Sequence, residues 1–140
     1  MSGNRYSVRG NPQAAFMPGG RVLRNKLSIR TVRAMDLAET RALGRAQRHF
    51  YRVLTPRTRF TADLLREVHA KAFGGIYAWA GEYRTVNLSK GGMLWPRWDL
   101  VPGLMEEFER KELRELTPCP PGSRSEVAGV IARVHGEFEA

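Results

Sequence analysis

The sequence predicts a mainly α-helical domain carrying one β-hairpin, and three observations predict it. Apolar residues recur at spacings of three and four over four stretches, which gives each stretch one apolar face at helical period. Between the second and third stretch, Arg84-Thr85-Val86-Asn87-Leu88-Ser89 alternates polar with apolar or β-branched residues. Lys90-Gly91-Gly92 and then Met93-Leu94-Trp95 follow, the order strand, turn, strand. Finally, 140 residues with 42% apolar and 26% charged side chains suit one domain with a modest core.

Residues 1–20, with Pro12, Pro18 and the Gly19-Gly20 pair, read as an extended arm outside a domain over 21–140. Ser28 precedes the first helical pattern, where Met35, Ala38, Ala42, Ala46, Phe50 and Val53 share a face until Thr55-Pro56 ends it. Thr61 is the expected N-cap of a second helix, with Asp63 in its first turn. Leu64, Leu65, Val68 and Ala72 form its apolar face, and it is expected to stop at Phe73-Gly74-Gly75, where glycine suits a left-handed C-terminal cap. Asp99 is expected to cap a third helix bearing Leu100, Leu104, Phe108 and Leu116, with Pro102 confined to its first turn. Ser123 or Ser125 opens a fourth, on which Val127, Ile131, Val134 and Phe138 recur while the chain reaches Ala140. With that apolar face only partly covered, low stability or association of the 140 residues is expected.

Charge and motifs narrow the function classes. Residues 1–60 hold thirteen Lys and Arg against Asp36 and Glu39, a net +11, whereas residues 61–140 carry −2. No stretch has the roughly 18 to 20 consecutive apolar residues of a membrane span, and the first ten residues lack the apolar run of a secretory signal, so a cytoplasmic protein is expected. Cys119, in a Pro-rich loop, has no partner for a disulfide and no metal-ligand spacing around it. Arg41, Arg45, Arg48 and Arg52 recur at four, three and four on the first helix, with Arg30 on the same line. They are candidate partner-binding residues, set against a plain solvated face. No helix-turn-helix or zinc spacing accompanies them, which disfavours nucleic acid. Tyr77, Trp79 and Tyr83 read as packing between the second helix and the hairpin rather than as a base-stacking platform, with Arg84 buttressing that corner. His49, His69 and His135 read as structural, because no acid or nucleophile is paired with them by spacing.

The run from His69 to Gly91, with Phe73-Gly74-Gly75-Ile76-Tyr77-Ala78-Trp79-Ala80-Gly81 at its heart, resembles the Fic/Doc family, where a helix leads through such a block into an active-site flap. The resemblance spans roughly residues 20–140. It implies a Fic-type helical domain with a β-hairpin flap, and an activity that moves AMP from ATP, with Mg²⁺ on the phosphates, to a hydroxyl side chain of a target protein. The family's catalytic motif, His-Pro-Phe-x-x-Gly-Asn-Gly-Arg, has no match in these residues; family order places it after residue 140. No catalytic or metal-binding residue is therefore assigned, and the 140 residues alone are expected to be inactive. The resemblance further implies that the flap, Val86, Asn87, Leu88, Ser89, Lys90, Gly91, Gly92 and Met93, binds the target by strand addition. Side-chain contact falls to Lys90, Met93 and Leu94. No inhibitory Ser/Thr-x-x-x-Glu-Gly/Asn motif is present, so a small acidic antitoxin is one expected partner of the basic surface. Three alternatives stay open: a non-catalytic protein-binding module or toxin fragment, a nucleic-acid-binding helical protein, and transfer of another phosphate-containing group.

Overall fold

The structure is a computed structural model that describes residues 11–90 and 92–139. Helix α1 (Val32–Val53) starts at Thr31, whose hydroxyl accepts from the Ala34 amide, not at Ser28. Ser28 instead has φ 57, in a loop organised by Asn25, whose Oδ1 accepts from the amides of Leu27 and Ile29. That local ring offers the backbone an alternative to a helical turn. Met35, Ala42, Ala46 and Phe50 form the buried face of α1, as their spacing predicts.

Helix α2 (Ala62–Phe73) is capped by Thr61, whose hydroxyl accepts from Leu64 N at 3.0 Å, and Asp63 lies in the first turn. Its end differs from expectation. Gly74 keeps right-handed helical angles, φ −60 and ψ −25, because its amide still bonds back to Ala70 O; the left-handed glycine comes later, at Gly81. The core gathers where α1 meets this end of α2: Val22, Met35, Ala42, Ile76 and Tyr77 are buried, with Phe73, Trp79 and Ala80 packed on them.

Residues 11–20 are no detached arm. Asn11 caps a 3-10 turn (Pro12–Ala14), Gln13 and Ala14 are buried, and Phe16 bridges to Leu23. The expectation for residues 1–10 lies outside the described residues.

The hairpin is shorter than its alternation suggests: β1 (Ser89–Lys90) pairs with β2 (Met93–Leu94), Ser89 opposite Leu94 and Lys90 opposite Met93. Helix α3 (Val101–Phe108) follows a 3-10 turn (Trp98–Leu100). It runs on through a π-helical segment (Glu109–Leu113) into a last turn (Arg114–Leu116). Asp99 caps nothing here; both its carboxylate oxygens take the Arg97 guanidinium. The π segment shifts the residues after it out of α-helical register. Leu113 and Glu112 are buried, whereas Leu100 and Leu104 of the expected face are exposed.

Helix α4 (Arg124–Glu139) opens with a reciprocal cap: Ser123 Oγ accepts from Glu126 N while Glu126 Oε2 accepts from Ser123 N. Its apolar residues Val130, Ile131, Val134 and Phe138 face an apolar hollow of about 360 Å³ with Phe60, Leu65, Phe108 and Leu116. Among the described residues no helix is long and apolar enough to cross a membrane.

Candidate target-docking flap

The flap stands on a corner built from side chains that take up backbone polar groups. At Gly81, φ is +88, a conformation that favours glycine. Its N–H donates to His69 Nδ1 at 2.9 Å, and its carbonyl accepts from Arg66 Nε at 2.9 Å. Arg66 also lies 4.9 Å over the Tyr83 ring and pairs with Asp63. Because Nδ1 accepts a hydrogen bond, His69 serves this corner as a neutral imidazole, and burial holds its pKa below the ordinary value of 6.5.

The aromatic block packs as a stack. Tyr77 and Trp79 lie 4.7 Å apart at 16°, Trp79 in turn lies 6.0 Å from His69, and the Tyr77 hydroxyl donates to Glu39 on α1 at 2.6 Å. Tyr77 is buried in the core and its ring is engaged by Trp79. The two rings pack as the sequence suggests, but against α1 and α2 rather than between α2 and the hairpin.

Residues 84–86 were expected in a strand, but backbone groups here find side-chain partners instead of a second strand. Gln13 Oε1 accepts from Thr85 N at 2.6 Å, and Gln13 Nε2 donates to Tyr83 O. Asn11 Nδ2 donates to the Thr85 carbonyl and hydroxyl. The Arg84 guanidinium donates to the carbonyls of Val86 and Pro96, tying both legs of the hairpin at its base, and burial lowers its pKa. A buried amide side chain thus does locally what a ladder would do. Nothing local in the sequence signals it, since Gln13 and Thr85 are 72 residues apart.

These contacts divide the predicted flap residues. Val86 is 2% exposed with its carbonyl bound to Arg84, so it belongs to the base and not to a docking edge. Asn87 Oδ1 accepts from Trp98 N, holding the second leg. Leu88 O accepts from Trp95 N at 3.2 Å. Inward bonding alternates along an antiparallel pair, so with Leu88 and Trp95 bonded inward, the Ser89–Leu94 pair turns its N–H and C=O groups outward. Gly92 has φ +85 with open space around it; Gly91 and the Lys90 side chain lie outside the described residues. Met93 and Leu94 are exposed, Leu94 to 80%. Trp95 and Trp98 are exposed beside them, a pair that the sequence reading did not assign to the site. Arg41, Arg45, Arg48 and Arg52 are exposed along α1 and make no hydrogen bond or ion pair to this corner among the described residues.

No family model and no curated protein matches the chain. Solved structures do resemble it, two of them Fic domains. The N-terminal Fic domain of a Bartonella effector protein from Bartonella sp. AR 15-3 aligns with a TM-score of 0.72 and 20% identity over 87% of this chain. The Fic domain of the Bep5 effector protein from Bartonella clarridgeiae aligns with a TM-score of 0.65 and 18% identity over 89%. The chain has a Fic-like fold. It spans 60% of the length of each of these structures. On this fold, the buttressed corner and the short hairpin occupy the stretch that resembles the Fic block and flap.

Proposed function

We propose that these residues form the target-docking part of a Fic-type enzyme that transfers AMP from ATP to a hydroxyl side chain of a protein. The observation that carries the reading is a hairpin with outward-turned N–H and C=O groups at Ser89, set on a rigid base within a Fic-like fold. Such an edge takes an extended segment by backbone hydrogen bonds, which require no particular side chain in the target. Met93 and Leu94 then meet the side chains next to the acceptor hydroxyl.

ATP and Mg²⁺ enter this reading through the family resemblance. The residues present do not form their site. Among the described residues no group of three His, Cys, Asp or Glu is placed to hold a metal ion, and no segment matches the phosphate-cradling motif. The role of these residues is to bind and orient the target; no chemical step is assigned to them.

The test uses the protein isolated from its source, incubated with a cell lysate, Mg²⁺ and ATP labelled on the α-phosphate. Label on a target protein, reduced by Ser89→Pro in the same full-length protein, is the expected result. Label arriving only from the γ-phosphate would overturn AMP transfer. Binding of a target with no label from either position would leave a non-catalytic binding module in its place.

A further inference from the structure

Four of the five arginines of α1 form a one-sided charged row, and the flap reading makes no use of them. Arg41, Arg45, Arg48 and Arg52 are all exposed and lie on one line along the helix, spanning roughly 16 Å and standing roughly 120° around it from the buried face. None of them is in an ion pair among the described residues. The Lys and Arg ion pairs among the described residues use Arg66, Arg97, Arg110, Lys111, Arg114 and Arg133. Asp36 and Glu39 are the only acids on α1, and Glu39 accepts from Tyr77.

The row has an apolar margin. Leu37 is 50% and Tyr51 78% exposed, and helical spacing sets both next to the arginines, on the side away from the core. Gln47 Nε2 donates to the Tyr51 hydroxyl at 3.1 Å, which fixes that ring on the surface. Arg48 folds back over Gly44, between Leu37 and Tyr51 on the helix, where a side chain would meet its guanidinium.

The geometry points to α1 as a docking face for an acidic amphipathic helix of another protein, its carboxylates spaced to meet the arginine row and its apolar residues seated on Leu37 and Tyr51. Two features select that occupant. A phosphate backbone would use the arginines but gains nothing from an exposed Leu37. A second copy of this chain offers no matching row on its most acidic helix: Glu107, Glu109 and Glu112 are already paired with Lys111, Arg114 and Arg133, and the exposed Glu106 and Glu115 are too far apart along the chain to copy the four, three, four spacing.

The test uses a synthetic helical peptide with glutamates at spacings of four, three and four and leucines beside them, against a scrambled peptide of the same composition and a single-stranded oligonucleotide. Titration should show the patterned peptide binding more tightly than the other two. Arg45→Glu with Arg48→Glu should weaken it about tenfold. Leu37→Ser should weaken it by a smaller factor, and circular dichroism should show both variants as helical as the parent. Arg41→Ala with Arg52→Ala is a second pair that keeps the test open if charge reversal disturbs folding. Equal binding of patterned and scrambled peptides, or indifference to both arginine pairs, would overturn the proposal. Tighter binding of the oligonucleotide through the same arginines, with Leu37→Ser without effect, would replace it with a phosphate-binding face. Because the flap is untouched by these variants, their outcome is independent of the AMP-transfer reading.

Discussion

The base of the hairpin and its tip, a few residues apart, solve opposite problems. At the base, the Gly81 amide and carbonyl, the Tyr83 carbonyl, the Thr85 amide and carbonyl and the Val86 carbonyl are met by His69, Arg66, Gln13, Asn11 and Arg84, and Val86 is 2% exposed. At the tip, two residues pair with two, and Leu94 is 80% exposed. A site that recruits a strand needs unpaired backbone at its edge, yet unpaired backbone is costly wherever water is excluded. The molecule separates these demands by bonding base carbonyls and amides to side chains and leaving the tip in solvent. Unusual residues at the base therefore report on stability, and those at the tip on binding.

The largest expected effect breaks the base at Gly81. A Cβ there would come within 2.7 Å of the Ala70 Cβ and 3.2 Å of the Arg66 carbonyl, on a backbone with φ +88. Gly81→Ala combines steric overlap with a strained backbone and should cost about 3 kcal/mol in urea unfolding. Gly92→Ala shares the positive φ but has open space around it, so it should cost only about 1 kcal/mol. Equal costs at the two glycines would erase the distinction between base and tip.

A smaller effect comes from His69, whose Nδ1 must stay unprotonated to accept from Gly81 N. Its folded pKa lies below the ordinary 6.5 because burial disfavours the charged ring. The unfolded chain therefore binds a proton first as pH falls. The His69 contribution is complete above about pH 6.5 and is lost as pH drops through the lower folded value. Unfolding midpoints measured between pH 8 and 5 should decline at the acid end. The decline should be shallower in His69→Gln, whose amide oxygen accepts the same bond without titrating. Identical profiles would remove His69 from the base.

Much of this architecture was legible in the sequence, for reasons that also explain what was not. Thr61 and Ser123 act as caps, and Met35, Ala42, Ala46 and Phe50 share the buried face of α1, because these features depend on neighbours within a turn or two. The Phe-Gly to Trp-Ala-Gly block pointed to the Fic-like fold that the solved structures share. Residues 84–88 alternate like a strand, but Gln13, about seventy residues upstream, supplies the partner groups, and no local pattern encodes that. Ser28 has the chemistry of a cap, yet Asn25 takes up the amides on either side of it, Leu27 and Ile29, and holds the loop out of helical form. Asp99 was lost as a cap to Arg97 two residues away, and the register of α3 was lost to a π turn that α spacing does not anticipate. Of the eight flap residues expected to bind, Val86 moved into the base, while the exposed Trp95 and Trp98 went unassigned because aromatic residues ordinarily signal core.

The smallest effect on stability should accompany the largest effect on docking, at Ser89. Its N–H turns away from β2, so Ser89→Pro removes no ladder bond, and edge positions accept proline. The substitution should change the unfolding free energy by less than about 1 kcal/mol. It should also remove the one outward donor that an incoming strand uses on β1, which amide exchange can read directly. In the parent protein a bound target segment should slow exchange of the Ser89 N–H and leave Thr85 N, already held by Gln13, unchanged. Slowed exchange at Thr85 with none at Ser89 would mean that the target displaces the Gln13 side chain and adds to the base. The two regions would then have exchanged roles.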